Sequence, residues 1–129
     1  MHLRDRRDAG RRLGAALAER AIERPVVLGL VRGGVPVAAE VATALDAPLE
    51  AFVARKIGAP HQPEFAVGAV AEGGGQVLDE PALRQVGLAG DRLTAAIERA
   101  GDEVDDRVRR YRGDRPLPAL SEGTAVLVD

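Results

Sequence analysis

Two short stretches constrain the fold more than any other part of the chain. PVVLGL (residues 25–30) and TAVLVD (residues 124–129) each carry an unbroken apolar run rich in β-branched side chains. Neither alternates apolar with polar, as a strand with one wet face would. A short run of this kind reads as a strand buried on both faces, which belongs in a parallel or mixed sheet covered by helices. The second run ends on an acid where a polar, loosely held segment would be ordinary. It reads as a central strand.

The stretches between them supply the helices. Residues 8–23 read as an amphipathic helix with Leu13, Ala16, Leu17, Ala21 and Ile22 on one face. VRGG follows the first strand as a turn, and Pro36 suits the first turn of a helix striped by Val37, Val41, Ala44 and Leu45. A second strand lies within 47–57. GAPHQPE (58–64) reads as a loop by its glycine and prolines. FAVGAVAEGGG (65–75) reads as a third strand closing on a glycine turn, and 76–79 as its short continuation. Asp79 or Glu80 opens a short helix with Pro81 early in it.

Residues 91–112 form the clearest helix, with Leu93, Ile97, Ala100, Val104, Val108 and Tyr111 at steps of three and four. Glu103–Arg107, Asp105–Arg109 and Asp106–Arg110 stand in the favourable acid-before-base order, each worth ~0.2–0.5 kcal/mol. Residues 112–120 read as a loop before the fourth strand. The order of elements is an α/β pattern with a largely parallel sheet.

Composition excludes several classes of function. The chain has 129 residues, enough for one domain with a core, and is 46% hydrophobic and 29% charged. Phe52, Phe65 and Tyr111 are its only aromatic residues, too few for a base-stacking platform. A net charge of −2 gives no electrostatic case for a nucleic-acid partner. The absence of cysteine removes disulfides and thiolate metal sites. No stretch is long and apolar enough to span a membrane, and the charged start lacks the apolar region of a secretory signal. A cytoplasmic location is the expectation.

In a parallel sheet, ligands sit beyond the carboxyl ends of the strands. That draws attention to Val31, Arg32, Gly33, Gly34 and Val35, to Arg55 and Lys56, and to Asp129. Two glycines after a buried strand let the backbone approach a ligand closely. The following helix offers free N–H groups and a partial positive charge, and Arg32 adds a planar cationic fork, so the combination suits an anion. Neither the P-loop nor the dinucleotide spacing is present. The same residues also read as an ordinary strand–helix turn. Arg55 and Lys56 are adjacent cations at a strand end, and Lys56 is the only lysine. Beside Arg32 they suit a polyphosphate. His61 alone reads first as a surface histidine, and Asp129 as a sugar-diol acceptor, a metal ligand or a turn residue.

Taken in order, VVLGLVRGGVPVAAEVA, FVARKIGAP with FAVGAVAEGG, and TAVLVD resemble the N-terminal part of type I phosphoribosyltransferases, closest to a bacterial subgroup of predicted members. The resemblance implies a three-layer α/β phosphoribosyltransferase-like fold. Its sheet is mixed, mostly parallel, in the order 3-2-1-4 with the third strand antiparallel and the later strands absent. One incomplete domain over 1–129 is expected, with a helical insertion at about 79–113 that is a candidate hood or oligomer contact. The family motif continues past Asp129 with a second acid and a Thr/Gly-rich loop for the 5-phosphate of phosphoribosyl pyrophosphate (PRPP). The chain is therefore expected to be truncated within that motif, inactive alone, and prone to dimerise or aggregate through an unpaired apolar edge.

The implied function is transfer of ribose 5-phosphate from PRPP to a nucleobase or other nitrogen nucleophile, with release of pyrophosphate, in nucleotide metabolism. Residues 31–35 would hold pyrophosphate, with one cis peptide, and Asp129 would accept from the ribose hydroxyls. Arg55, Lys56 and His61 would belong to a mobile catalytic loop over 57–65 and its start. Mg²⁺ would be held mainly by PRPP, with no protein metal cage. Two other readings are a non-catalytic PRPP- or nucleotide-sensing module of the same fold and an α/β interaction fragment of a larger fusion.

Overall fold

The computed structural model describes residues 3–118 and 123–129. In chain order its elements are α1 (Arg6–Ala18), β1 (Pro25–Leu30), α2 (Gly34–Leu45), β2 (Leu49–Phe52), β3 (Ala54–Ala59), β4 (Gln62–Ala71), β5 (Gln76–Leu78), α3 (Glu80–Val86), α4 (Gly90–Arg112) and β6 (Thr124–Val128). A 3-10 turn at Glu72–Gly74 joins β4 to β5. The chain divides into two compact units, residues 1–52 with 114–129, and residues 53–113. The end of the loop expected over 112–120 lies outside the described residues.

In the first unit β1 runs between β2 and β6, parallel to both. Val26, Val27 and Leu28 are all buried, so β1 has no wet face, as its continuous apolar run requires. Val37, Ala38, Val41 and Ala42 of α2 close over Val27 and Val128 to make the core, with Leu17, Leu45, Ala47 and Val126 packed around it.

β6 lies beside β1, at the end of the sheet where the expected order with its later strands absent puts it, and among the described residues it pairs with β1 alone. Val128 faces the core at 3% exposure, while Leu127 is 56% exposed. Its apolar run therefore has one covered face, because successive side chains of a strand point to opposite sides.

α1 starts where Asp5 accepts the N–H of Asp8 (2.8 Å), an ordinary N-cap. The Arg4 backbone N–H, helped by the nearby Arg12 and Arg11, holds the Asp8 carboxyl below its usual 3.8, although desolvation pulls the other way. The helix ends at Ala18 rather than 23, and Ala21 and Arg24 take positive φ in the turn that follows. Its packed face also differs from the expected one. Gly10 and Gly14 are buried, and Leu13 is 38% exposed. A Cβ on Gly14 would lie 2.7 Å from the Cβ of Ala44, and one on Gly10 would lie 2.7 Å from both the Glu40 Cβ and the Val37 carbonyl oxygen. The helices thus touch backbone to backbone, which the apolar periodicity could not reveal. Gly14→Leu is expected to cost about 1–3 kcal/mol, the usual range for overpacking. A thermal melt unchanged by it would contradict this contact.

The second unit is an antiparallel sheet, β3-β4-β5, with α3 and α4. The expected single sheet in the order 3-2-1-4 is therefore divided. The segment read as one strand over 47–57 breaks at Val53, whose N–H donates to the Glu72 carboxylate (2.8 Å) and whose carbonyl accepts from the Glu72 N–H (3.0 Å). Val53 has its backbone groups satisfied by a turn residue instead of by a neighbouring strand. The third expected strand is antiparallel, as the resemblance implies, and pairs with β3, which begins in the later part of that same segment.

The loop expected over 58–64, and the mobile catalytic loop over 57–65, form a hairpin instead. Ala59 pairs with Gln62 across a two-residue turn at Pro60 and His61. A Cβ on Gly58 would strike the Pro63 carbonyl, so the strands cross closely where the register shifts. On α4, Ala100 and Val104 are buried, while Tyr111 is 40% exposed and Arg112 takes the last inward position. Asp106 pairs with Arg110 (3.1 Å) as expected, whereas Glu103 reaches Arg55 (2.6 Å).

Candidate functional site

At the carboxyl end of β1 the chain turns directly into α2. Val31 extends the ladder by donating its N–H to the Phe52 carbonyl (3.1 Å), and the Val31–Arg32 peptide is cis. Gly33 is the helix N-cap and gives no side-chain cap. The Val35 N–H is used by the Arg32 carbonyl (3.3 Å), and Pro36 has none. Among the described residues the Arg32, Gly33 and Gly34 backbone N–H groups have no acceptor, so they are the donors this turn can offer. Arg32 and Gly33 are exposed, and Gly34 is buried.

Gly34 is buried against the end of β6. A Cβ there would clash with the Val128 carbonyl oxygen and lie 3.0 Å from the Asp129 Cα. Only a glycine lets the start of α2 sit this close to another backbone. The contact brings residues 31–35 and Asp129, both singled out in the sequence, to one edge of the first unit. A third group stands there that the sequence pattern did not single out. A Cβ on Gly33 would lie 3.7 Å from one terminal nitrogen of Arg6 and 3.9 Å from its Nε.

The other candidates lie in the second unit. Arg55 is engaged by Glu103, Lys56 is exposed on the same strand, and His61 is exposed at the hairpin turn. An open cleft of about 590 Å³ runs between β3 and α4, with Arg55, Lys56, Arg99 and Arg107 against the single acid Glu103. Its cationic excess and its Ala96 and Ala100 floor suit an anion with a small apolar part. Among the described residues, no three acidic or imidazole side chains gather to hold a metal, and no helix is long and apolar enough to cross a membrane.

No family model matches the chain. Two Mycobacterium tuberculosis proteins, from strains CDC 1551 / Oshkosh and ATCC 25618 / H37Rv, are each 45% identical to it over 125 residues, 97% of the chain. Both are named "Putative phosphoribosyl transferase". Relatives so named, matched over nearly the whole of this chain, support its assignment to the phosphoribosyltransferase family.

It spans 28% of the length of these curated relatives. A solved structure, described as the crystal structure of TT1426 from Thermus thermophilus, superposes with a TM-score of 0.79 at 49% identity, covering 100% of this chain and 61% of that one. In this chain, the signal that could have found Arg6 was the four-residue spacing of Arg6, Gly10 and Gly14 on one helix face. From the sequence Arg107 reads only as the partner of Glu103, and Arg99 is not singled out. Their place beside β3 depends on pairing that the sequence pattern does not encode.

Proposed function

We propose that the protein to which this chain belongs transfers ribose 5-phosphate from PRPP to a nitrogen nucleophile, and that residues 31–35 hold the departing pyrophosphate. The observation that carries this reading is the turn itself. Two unsatisfied glycine N–H groups and an exposed Arg32 stand at the start of α2, at the carboxyl end of a buried parallel strand.

In the reaction the ribose C1–oxygen bond to pyrophosphate breaks, and a bond from C1 to the incoming nitrogen forms. Negative charge grows on the leaving group as the sugar becomes oxocarbenium-like. Donors fixed around those oxygens lower the barrier by stabilising charge that develops only in the transition state. Arg32 suits this work because its planar fork pairs with two phosphate oxygens at once. Asp129, brought to the same edge by the Gly34 contact, would accept from the ribose hydroxyls. On the family resemblance, Arg55 and Lys56 are assigned to pyrophosphate binding and His61 to the catalytic loop. Lys56 is the strongest of the three, since Arg55 already faces Glu103. Mg²⁺ would arrive on the diphosphate oxygens, keeping several waters, and would supply further charge neutralisation there.

The test is PRPP-dependent release of pyrophosphate by the full-length protein, assayed with a panel of nucleobases and amines. Arg32→Ala is expected to lower the rate by one to two decades, the equivalent of a lost charge-assisted contact of about 1.5–3 kcal/mol. PRPP binding without release under every acceptor would favour a sensing module. Neither binding nor release would exclude both.

A further inference from the structure

We infer that Arg6, at the start of α1, is a second diphosphate-binding arginine, held over the first turn of α2 by the glycine stripe of its own helix; this rests on the reading of residues 31–35 as the pyrophosphate site.

The placement follows from helix geometry. Gly10 lies on Val37 and Glu40, and Gly14 lies on Val41 and Ala44. Both partners advance together along the chain, so α1 and α2 run parallel with matched steps of about one turn. One turn before Gly10 on the same face is Arg6, and one turn before Val37 is Gly33. The proximity of the Arg6 guanidinium to Gly33 is the next rung of that ladder. Small residues at 10 and 14 bring the two backbones together, and the long side chain at 6 then has the helix start within reach.

Electrostatics separates this arrangement from ordinary packing. The start of a helix carries partial positive charge, so a cation there is unfavourable unless something negative stands between. Among the described residues, neither Arg6 nor Arg32 forms an ion pair or a side-chain hydrogen bond. The acids of the first turn of α1 are committed elsewhere, and Asp129, across Gly34, pairs with neither arginine. Asp5 caps α1, and Asp8 takes Arg4, Arg11 and Arg12. Two guanidinium groups without an ion pair, Arg6 beside Gly33 and Arg32 one residue before it, thus belong to the same turn as three unsatisfied backbone N–H groups at the positive end of α2. A diphosphate has charge and oxygens enough to answer them, with one phosphoryl group for each arginine.

Calorimetric titration of pyrophosphate into this chain at low salt tests the inference, using Arg6→Ala, Arg6→Gln, Arg32→Ala and the parent. Each Arg6 variant should lose about tenfold or more in affinity, as a lost charge-assisted contact implies. Its affinity should also fall less steeply with added salt, because one charge has left the contact. The melting temperature should hold, since the side chain is exposed. Parent-like affinity in both Arg6 variants, with binding lost in Arg32→Ala, would overturn the role of Arg6 and leave the site standing. Weaker binding by the Arg6 variants at the parent's salt dependence would overturn that role equally. Absence of saturable binding by the parent would overturn the site and this inference together.

Discussion

Glu72→Ala is expected to destabilise the second unit by about 3–5 kcal/mol, the range seen when one partner of a buried ion pair is removed. Glu72 and Arg112 are each only 5% exposed at the side chain. One terminal nitrogen of Arg112 donates to Glu72 Oε2 at 3.3 Å, and the other donates to Oε1. Oε2 also accepts the Val53 N–H at 2.8 Å. The substitution thus takes the countercharge from a buried guanidinium and an acceptor from a buried backbone donor. Glu72→Gln should fall between, since its amide oxygen can still accept from Val53 while the charge is lost. Urea unfolding followed by circular dichroism reads both. A loss below about 1 kcal/mol for Glu72→Ala would place this pair with surface salt bridges.

Gly34→Val is expected to damage folding and ligand binding together. The new Cβ would strike the Val128 carbonyl, with the Val128 carbonyl carbon at 3.2 Å and the Asp129 Cα at 3.0 Å. All three obstacles are backbone, so no side chain can rotate aside. Either α2 or the end of β6 must shift, and Val37, Ala38 and Val128 share one core on either side of the contact. Overpacking of this kind costs about 1–3 kcal/mol, and more where relief is blocked. A crystal structure of the variant should show the turn at 31–35 moved away from Asp129. A variant with parent-like melting and pyrophosphate affinity would show that the turn and the strand end are not locked together.

The contrast between these two sites shows what the sequence carried. The β1–turn–α2 segment was readable because each signal is local: a continuous apolar run, two glycines, an early proline and an apolar helical stripe. Asp129 followed from the same rule about strand ends. The division into two sheets was not readable, because it turns on Val53 finding Glu72, 19 residues away, as its backbone partner. Arg112 likewise reads as one more cation in a basic helix end until its partner is known. The hairpin at 54–71 was obscured by Pro60 and Pro63, which signal a loop; here one lies in the turn and the other in the exposed start of β4. α1 misled most plainly. Leu17 packs on the core as the apolar stripe suggests, but Leu13 does not, and the glycines supply the tight contact, because close helix approach depends on missing side chains that hydropathy does not score.

The central claim is that residues 31–35 bind the diphosphate of PRPP. The most direct measurement is calorimetric titration of pyrophosphate into the 129-residue chain, beside Arg32→Ala, with a thermal melt of each. Saturable binding by the parent is expected, with a loss of about one to two decades in the variant at an unchanged melting temperature. Equal affinity in the two proteins, or no saturable binding by the parent, would contradict it.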